Sequence, residues 1–226
     1  MLPFTRDLDG CEVEIKLSAN CTDPTLFVLD LSDEFDRGVY PGWLVQRNLG
    51  VRETAITTWR LNIQAWGVRN SESLTQKIMV AERADGMKIL SQKETVYPLL
   101  VQDPVLIRPE DKSKSYWMES DDFSEAWKEM MALYPGLTYF GSYLRTKTMF
   151  FVVSGSRRNY CIAADYSVSE GKKLFQVEVE YKGREGIHKP AGAEPLVEEM
   201  NALARMLEIK LGLRITTLTK LEWLLS

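Results

Sequence analysis

The sequence predicts an α+β domain built on an antiparallel sheet, with helices inserted into it and appended to it. Three observations lead there. Most segments alternate polar and apolar residues with the period of a strand. Two segments instead carry apolar residues at helical spacing. The strand-like runs are joined by short turns such as Ala84-Asp85-Gly86 and Ser154-Gly155-Ser156, as antiparallel neighbours allow.

In chain order, "CEVEIKL" (11–17) places Glu12, Glu14 and Lys16 on one strand face. Residues 22–58 are the least legible. There "PTLFVLDL" reads as a strand and "PGWLVQRNLG" as a short helix. "WRLNIQAW" (59–66) sets Arg60, Asn62 and Gln64 against Leu61, Ile63 and Ala65. "SLTQKIMV" and "MKILSQKETV" are two strands separated by the Ala-Asp-Gly turn.

A helix follows in "SDDFSEAWKEMMALYPG", with Asp122 as N-cap and Glu125 completing a capping box. Phe123, Ala126, Trp127 and Met130 form its apolar stripe, and Pro135-Gly136 stop it. "SYLRTKTMFFVV", "NYCIAADYSV" and "KLFQVEVEYKG" then read as successive strands. The last helix, "EPLVEEMNALARMLEIKLG", starts with Pro195 in its first turn and ends at Gly212. Trp59, Trp66 and Trp127 are expected in the core or sheet wall.

Composition bounds the function. The chain has 226 residues, 45% hydrophobic and 27% charged, which is ordinary for a soluble globular protein able to bury a sizeable core. A net charge of −4 argues against bulk attraction to nucleic acid and leaves room for a local basic cleft. No apolar run approaches membrane-spanning length, and "MLPFTRDLDG" lacks the pattern of a secretion leader. Cys11, Cys21 and Cys161 form no CxxC pair and read as reduced thiols of a cytoplasmic protein. The single histidine, His188, lies in a Gly/Pro-bearing stretch that reads as a loop. Chemistry is therefore expected from carboxylates, Lys, Arg and a bound metal.

A second acidic pair directs that expectation. In "FQVEVEY" (175–181), Phe175, Val177, Val179 and Tyr181 face one way and Gln176, Glu178 and Glu180 the other. Asp165 interrupts an otherwise apolar strand. Between the two pairs lie same-face cations: Arg145 with Lys147, Arg60 beside Asn62, and Lys77. If these faces are solvated, they carry no message. If they point inward, five carboxylates need compensation from Lys, Arg and a divalent cation with oxygen ligands.

This pattern resembles the CYTH superfamily, the triphosphate tunnel metalloenzymes, which include thiamine triphosphatases, inorganic triphosphatases, certain RNA 5′-triphosphatases and class IV adenylyl cyclases. Glu12, Glu14 and Lys16 match its E-x-E-x-K strand without a gap. "WRLNI" resembles its R-x-R strand, with Arg60 in place and Asn62 substituting the second arginine. "LTQK" gives Lys77, "YLRTK" gives Arg145 and Lys147, "AADYS" gives Asp165, and the late E-x-E strand gives Glu178 and Glu180. "LTKLEWLLS" resembles the C-terminal motif and gives Lys220, with Glu222-Trp223 in place of Ser-Tyr. An alternative register takes Arg83 and Lys93 as the middle-strand cations. Arg60 and Lys77 are preferred because "QKETVYPLL" looks like the family's following strand.

The resemblance implies one domain, 1–226, forming an eight-stranded antiparallel β-barrel, a tunnel with a charged bore and helices packed outside. For Trp117 two placements stay open, near a tunnel mouth where it could stack on a base, or in the core. Lys16, Arg60, Lys77, Arg145, Lys147 and Lys220 would hold the phosphates, with Lys16, Arg60 and Glu178 in catalytic roles. Glu12, Glu14, Asp165, Glu178 and Glu180 would bind Mg²⁺ or Mn²⁺. The implied activity is metal-dependent hydrolysis of the terminal phosphate of tripolyphosphate, a nucleotide or thiamine triphosphate, with an RNA 5′ end as a further candidate partner. The alternatives are a class IV-type adenylyl cyclase and a non-catalytic nucleotide- or polyphosphate-binding protein. Glu12, Glu14, Glu178 and Glu180 are expected to converge in one cavity.

Overall fold

A computed structural model of the chain describes residues 4–5, 7–8, 10–46, 56–69, 74–92, 100–102, 104–109, 116–120, 122–186 and 192–226. The first half carries β1 (Phe4–Thr5), β2 (Cys11–Ser18), α1 (Pro24–Asp36), β3 (Trp43–Val45), β4 (Ile56–Arg69), β5 (Leu74–Arg83), β6 (Lys88–Gln92), β7 (Leu100–Gln102) and β8 (Val105–Pro109). The second half carries β9 (Tyr116–Ser120), α2 (Ser124–Leu133), β10 (Thr138–Ser154), β11 (Arg158–Ser169), β12 (Lys172–Glu185), α3 (Glu194–Leu211), β13 (Arg214–Ile215) and α4 (Lys220–Leu225).

All described strands belong to one sheet with the order β7-β8-β2-β12-β11-β10-β4-β5-β6-β9; β1 adds to β12, β13 to β2 and β3 to β10. Every pairing is antiparallel. The α+β reading therefore holds. The described pairings trace an open path ending at β7 and β9, and closure into an eight-stranded barrel is not among them.

Two expectations in residues 22–58 are corrected. "PTLFVLDL" is helical, because Asp23 caps it by accepting from the Thr25 and Leu26 amides and Pro24 suits the first turn. The buried Val28, Leu31 and Phe35 recur at helical spacing, and that stripe runs past the segment read as a strand. "PGWLVQRNLG" holds the strand β3 rather than a helix, with Leu44 opposite Val153 of β10, and residues 47–50 of that segment lie outside the described residues.

The later helices match their signals more closely. α2 starts one residue after the predicted cap, since Phe123 is the N-cap and Asp122 instead accepts from the Ser124 amide and hydroxyl. α3 spans Glu194–Leu211, and Gly212 ends it in the left-handed region (φ 65°).

The sheet has two chemically opposite faces. Val13, Ile15 and Leu17 of β2 join Val177 and Val179 of β12, Ile162 and Ala164 of β11, and Phe150 and Val152 of β10 on the apolar face. There α1 and α3 cover them with Val28, Leu31 and Phe35, and with Leu196, Met200, Leu203 and Leu207. Burying such side chains stabilises by about 1.5–3 kcal/mol each before entropy is counted. α2 packs on the same side farther along, where Trp66 meets Trp127 edge to face at 5.1 Å over Ile78, Val80 and Leu90. The opposite face carries the charges.

Candidate functional site

Register places the acidic pairs side by side. β2 and β12 are neighbours with Glu178 opposite Lys16 and Glu180 opposite Glu14. Residues directly opposite in an antiparallel pair share a face, so Glu14, Lys16, Glu178 and Glu180 lie together, and Glu12 follows by parity. Continuing across the sheet, Glu178 pairs Ala163, Lys147 pairs Asp165, and Arg145 pairs Ser167, which brings Arg145, Lys147 and Asp165 onto this face.

Arg145, Asp165 and Glu178 form a tight ionic cluster with Lys147 and Lys220. Arg145 donates from Nε and Nη2 to the two Asp165 oxygens at 2.5 and 2.7 Å, a bidentate pair. Lys220 Nζ donates to Glu178 Oε1 at 2.5 Å and lies 3.2 Å from Asp165 Oδ2. Lys147 Nζ and Arg145 Nη2 approach Glu178 Oε2 at 3.6 and 3.8 Å. Burial opposes ionisation of Glu178, yet Lys220, Lys147, Arg145 and Lys16 outweigh it and hold its carboxyl well below the usual range. Asp165 is likewise lowered, its burial overcome by Arg145 and Lys220. Burial also disfavours the Arg145 and Lys220 cations, but Asp165 and Glu178 turn both pKa values upward.

Lys220 reaches this cluster from α4, and local sequence explains how. Glu222 and Thr219 form a capping box: Thr219 Oγ1 accepts from the Glu222 amide at 3.1 Å and Glu222 Oε2 from the Thr219 amide at 2.7 Å. Trp223 seats the helix among Ile63, Ala81, Ile89, Tyr143 and Leu174. A bulge in β10 at Gly141 (φ +141°) makes room, since a Cβ there would meet Leu224 at 3.3 Å. The Glu222-Trp223 departure from the family ending thus serves to fix α4.

At the β2 end the balance differs. Lys16 Nζ lies 3.3 Å from Glu14 Oε1, and Arg108 Nη1, from β8, lies 2.8 Å from that oxygen and 3.7 Å from Glu12 Oε2. Glu14 Oε1 is buried, yet it accepts no well-directed hydrogen bond despite these close cations. Burial raises the Glu14 pKa, the charges of Glu178 and Glu12 add to the rise, and Lys16 and Arg108 only partly oppose it. Glu180 pairs with Lys182 at 2.5 Å. Hard carboxylate oxygens, one of them buried without a well-directed hydrogen bond, suit Mg²⁺ or Mn²⁺ in donor type. Among the described residues, no three acidic side chains are gathered closely enough to be a ready-made metal cluster.

Arg60 does not join the site. In β4, Leu61 pairs both Arg145 and Arg83, whereas Arg60 pairs Thr146 and Asn62 pairs Leu144. Parity therefore turns exposed Arg60 and Asn62 to the opposite face. Arg83, the cation of the alternative register, lies on the charged face. Its guanidinium sits over Trp59, 5.3 Å from the ring centroid, and bridges Glu119 and Asp85 at 2.5 and 2.7 Å. Lys77 lies within β5, its side chain outside the described set; Lys93 and His188 are outside the described residues, as is the Trp117 side chain within β9. Cavities of about 650 and 450 Å³ open at this edge and share Arg60 and Arg83; only the second touches the ionic cluster, at Arg145. The cluster itself is closed by its own ion pairs.

Sequence reasoning missed Arg108 and Lys182. Alternation offered a signal for both: Arg108 shares parity with Leu106 in "VLIRP", and Lys182 continues the Glu178-Glu180 face. The three cysteines are unbridged, and burial pushes the Cys161 thiol up to about 11, leaving it a poor nucleophile. No described helix is long and apolar enough to cross a membrane.

No protein-family model matches the sequence, and no curated protein matches it. Solved structures do. HpAC1 from Hippeastrum, described as an adenylyl cyclase with a dominant triphosphatase activity, is 14% identical with a TM-score of 0.51, and the match covers 92% of each chain. PH1012 protein from Pyrococcus horikoshii OT3 is 13% identical over 94% of this chain and 98% of its own, with a TM-score of 0.47. A Bacillus halodurans protein described as an adenylate cyclase is 12% identical over 96% of this chain and 100% of its own, with a TM-score of 0.45. Likeness at such identities speaks to fold alone, and the Hippeastrum match carries it. The chain is similar in fold to the Hippeastrum protein, as its resemblance to CYTH-type proteins implies.

Proposed function

We propose that the protein is a metal-dependent triphosphatase that removes the terminal phosphate of a triphosphate-bearing substrate held on the charged face. One observation carries this reading: three cations from separate positions, Arg145, Lys147 and Lys220, converge on Glu178 beside the bidentate Arg145–Asp165 pair. Phosphoryl transfer depends mainly on positioning and charge neutralisation, and this set supplies both without histidine. The dominant triphosphatase activity of the Hippeastrum protein supports hydrolysis over cyclisation.

In this mechanism Arg145, Lys147, Lys220 and Lys16 bind the phosphate oxygens, with Arg83 at the edge of the face. Asp165 orients Arg145 through both oxygens, and Glu178, held ionised, gathers the lysines. Water attacks the terminal phosphorus and passes its proton to a carboxylate of the β2–β12 pair as the new bond forms. The bond to the leaving diphosphate breaks, and Lys220 and Arg145 stabilise the charge on its oxygen. Glu12, Glu14, Glu178 and Glu180 would hold Mg²⁺ or Mn²⁺, which when bound neutralises phosphate charge.

The chain connectivity supports a tunnel. Eight inter-strand spacings separate β8 from β9 along the path, about 38 Å in a flat sheet. Only residues 110–115 join the two strands, a tether reaching about 25 Å at most. The sheet must curl, and pairing of its end strands, β7 and β9, would close it around the charged face.

The test is phosphate release from tripolyphosphate, ATP and thiamine triphosphate with Mg²⁺ or Mn²⁺. Glu178→Gln should lower metal-dependent release about 10²-fold. A cyclic nucleotide with pyrophosphate as product would instead identify a cyclase, and a tightly retained, uncleaved ligand a binding protein.

A further inference from the structure

We propose that Arg108 is an exchange residue: in the substrate-free protein its guanidinium holds the place of a divalent cation between Glu12 and Glu14, and it transfers to substrate phosphate when the cation enters. This rests on the triphosphatase reading and names a residue that reading does not require.

The geometry is specific. A single nitrogen, Nη1, lies 2.8 Å from Glu14 Oε1 and 3.7 Å from Glu12 Oε2, and so bridges two carboxylates from alternate residues of one strand. A divalent ion held by these two carboxylates would compete with the guanidinium for the same oxygens. The guanidinium is also poorly rooted. Glu14 Oε1 accepts no well-directed hydrogen bond from it, unlike the bidentate seat that fixes Arg145 on Asp165. The Arg108 side chain is 23% exposed against 6% for Lys16, so it has a path out. β8 lies on the far side of β2 from β12, so Arg108 approaches the acids from the side opposite the Arg145–Lys220 cluster. Released by a metal, a planar guanidinium on this face is suited to grip two oxygens of a phosphate.

The decisive experiment measures Mn²⁺ binding to the intact, substrate-free chain by the electron-paramagnetic-resonance signal of unbound Mn²⁺. Binding of tripolyphosphate, in an imido-bridged form that is not hydrolysed, is measured separately by calorimetry with saturating Mn²⁺. Arg108→Gln should bind Mn²⁺ about tenfold more tightly, because a competing positive charge is gone, and tripolyphosphate about tenfold more weakly. Arg108→Lys keeps the charge without the fork, so it should hold Mn²⁺ affinity near wild type while still losing tripolyphosphate affinity. Unchanged or weaker Mn²⁺ binding in Arg108→Gln overturns the exchange and leaves the triphosphatase reading intact. Failure of the wild-type protein itself to bind either probe sinks both.

Discussion

The two ends of the charged face use the same residue types to opposite effect. At the β10–β11–α4 end, three cations surround two carboxylates, and ion pairing overrides burial so that Asp165 and Glu178 stay ionised. At the β2–β8 end the acids of one strand crowd each other, burial prevails, and Glu14 is pushed toward its neutral form. The difference teaches that burial alone does not set a carboxyl's state; the local count and seating of cations does. In the proposed function the first end meets phosphate and the second the metal.

The strongest way to break this comparison is to empty the first end. Asp165→Ala strands a buried Arg145 and should cost about 3–5 kcal/mol in urea unfolding. A loss under about 1 kcal/mol would mean that the cluster is solvated.

The pH dependence of stability should then separate the ends. The lowered groups, Asp165 and Glu178, contribute stability present above the ordinary carboxylate range near pH 4 and lost as pH falls through their folded-state values. Glu14 is raised, so its contribution is present below that range and is lost as pH rises through its folded-state value. Relative to wild type, Glu14→Gln should gain stability between acid and neutral pH, and Glu178→Gln should lose it. Unfolding curves at both pH values read the two signs directly, and equal signs would erase the distinction.

Smaller effects sharpen the boundary of the site. Arg83→Ala, on the charged face, should raise KM for a triphosphate about tenfold. Arg60→Ala, on the opposite face and exposed, should leave KM and kcat within about twofold. A reversal of these two results would restore Arg60 as the middle-strand cation.

Alternation made much of this face legible. Glu12, Glu14 and Lys16, the Glu178-Glu180 pair, Arg145 with Lys147, and Asp165 could each be assigned to a shared strand face because the side-chain period is two. Capping and stop signals likewise located α3, and α2 within one residue. Residues 22–58 were harder, because a short apolar run such as "PTLFVLDL" fits a strand or a buried helix until its continuation to Phe35 is counted. Parity could place Arg108 on a face of its strand, but not beside Glu12 and Glu14, because that depends on which strand is its neighbour.

By itself, the sequence determined which residues travel together on each strand and where the later helices begin and end, since both depend on local periodicity and capping. Only the tertiary structure decided which strands adjoin and in what register. It turned Arg60 away and Arg83 inward, set Arg108 against Glu12 and Glu14, and carried Lys220 across from the C-terminal helix. The physical reason is that register and neighbourhood arise from long-range pairing and packing, and one step of register exchanges a strand's two faces.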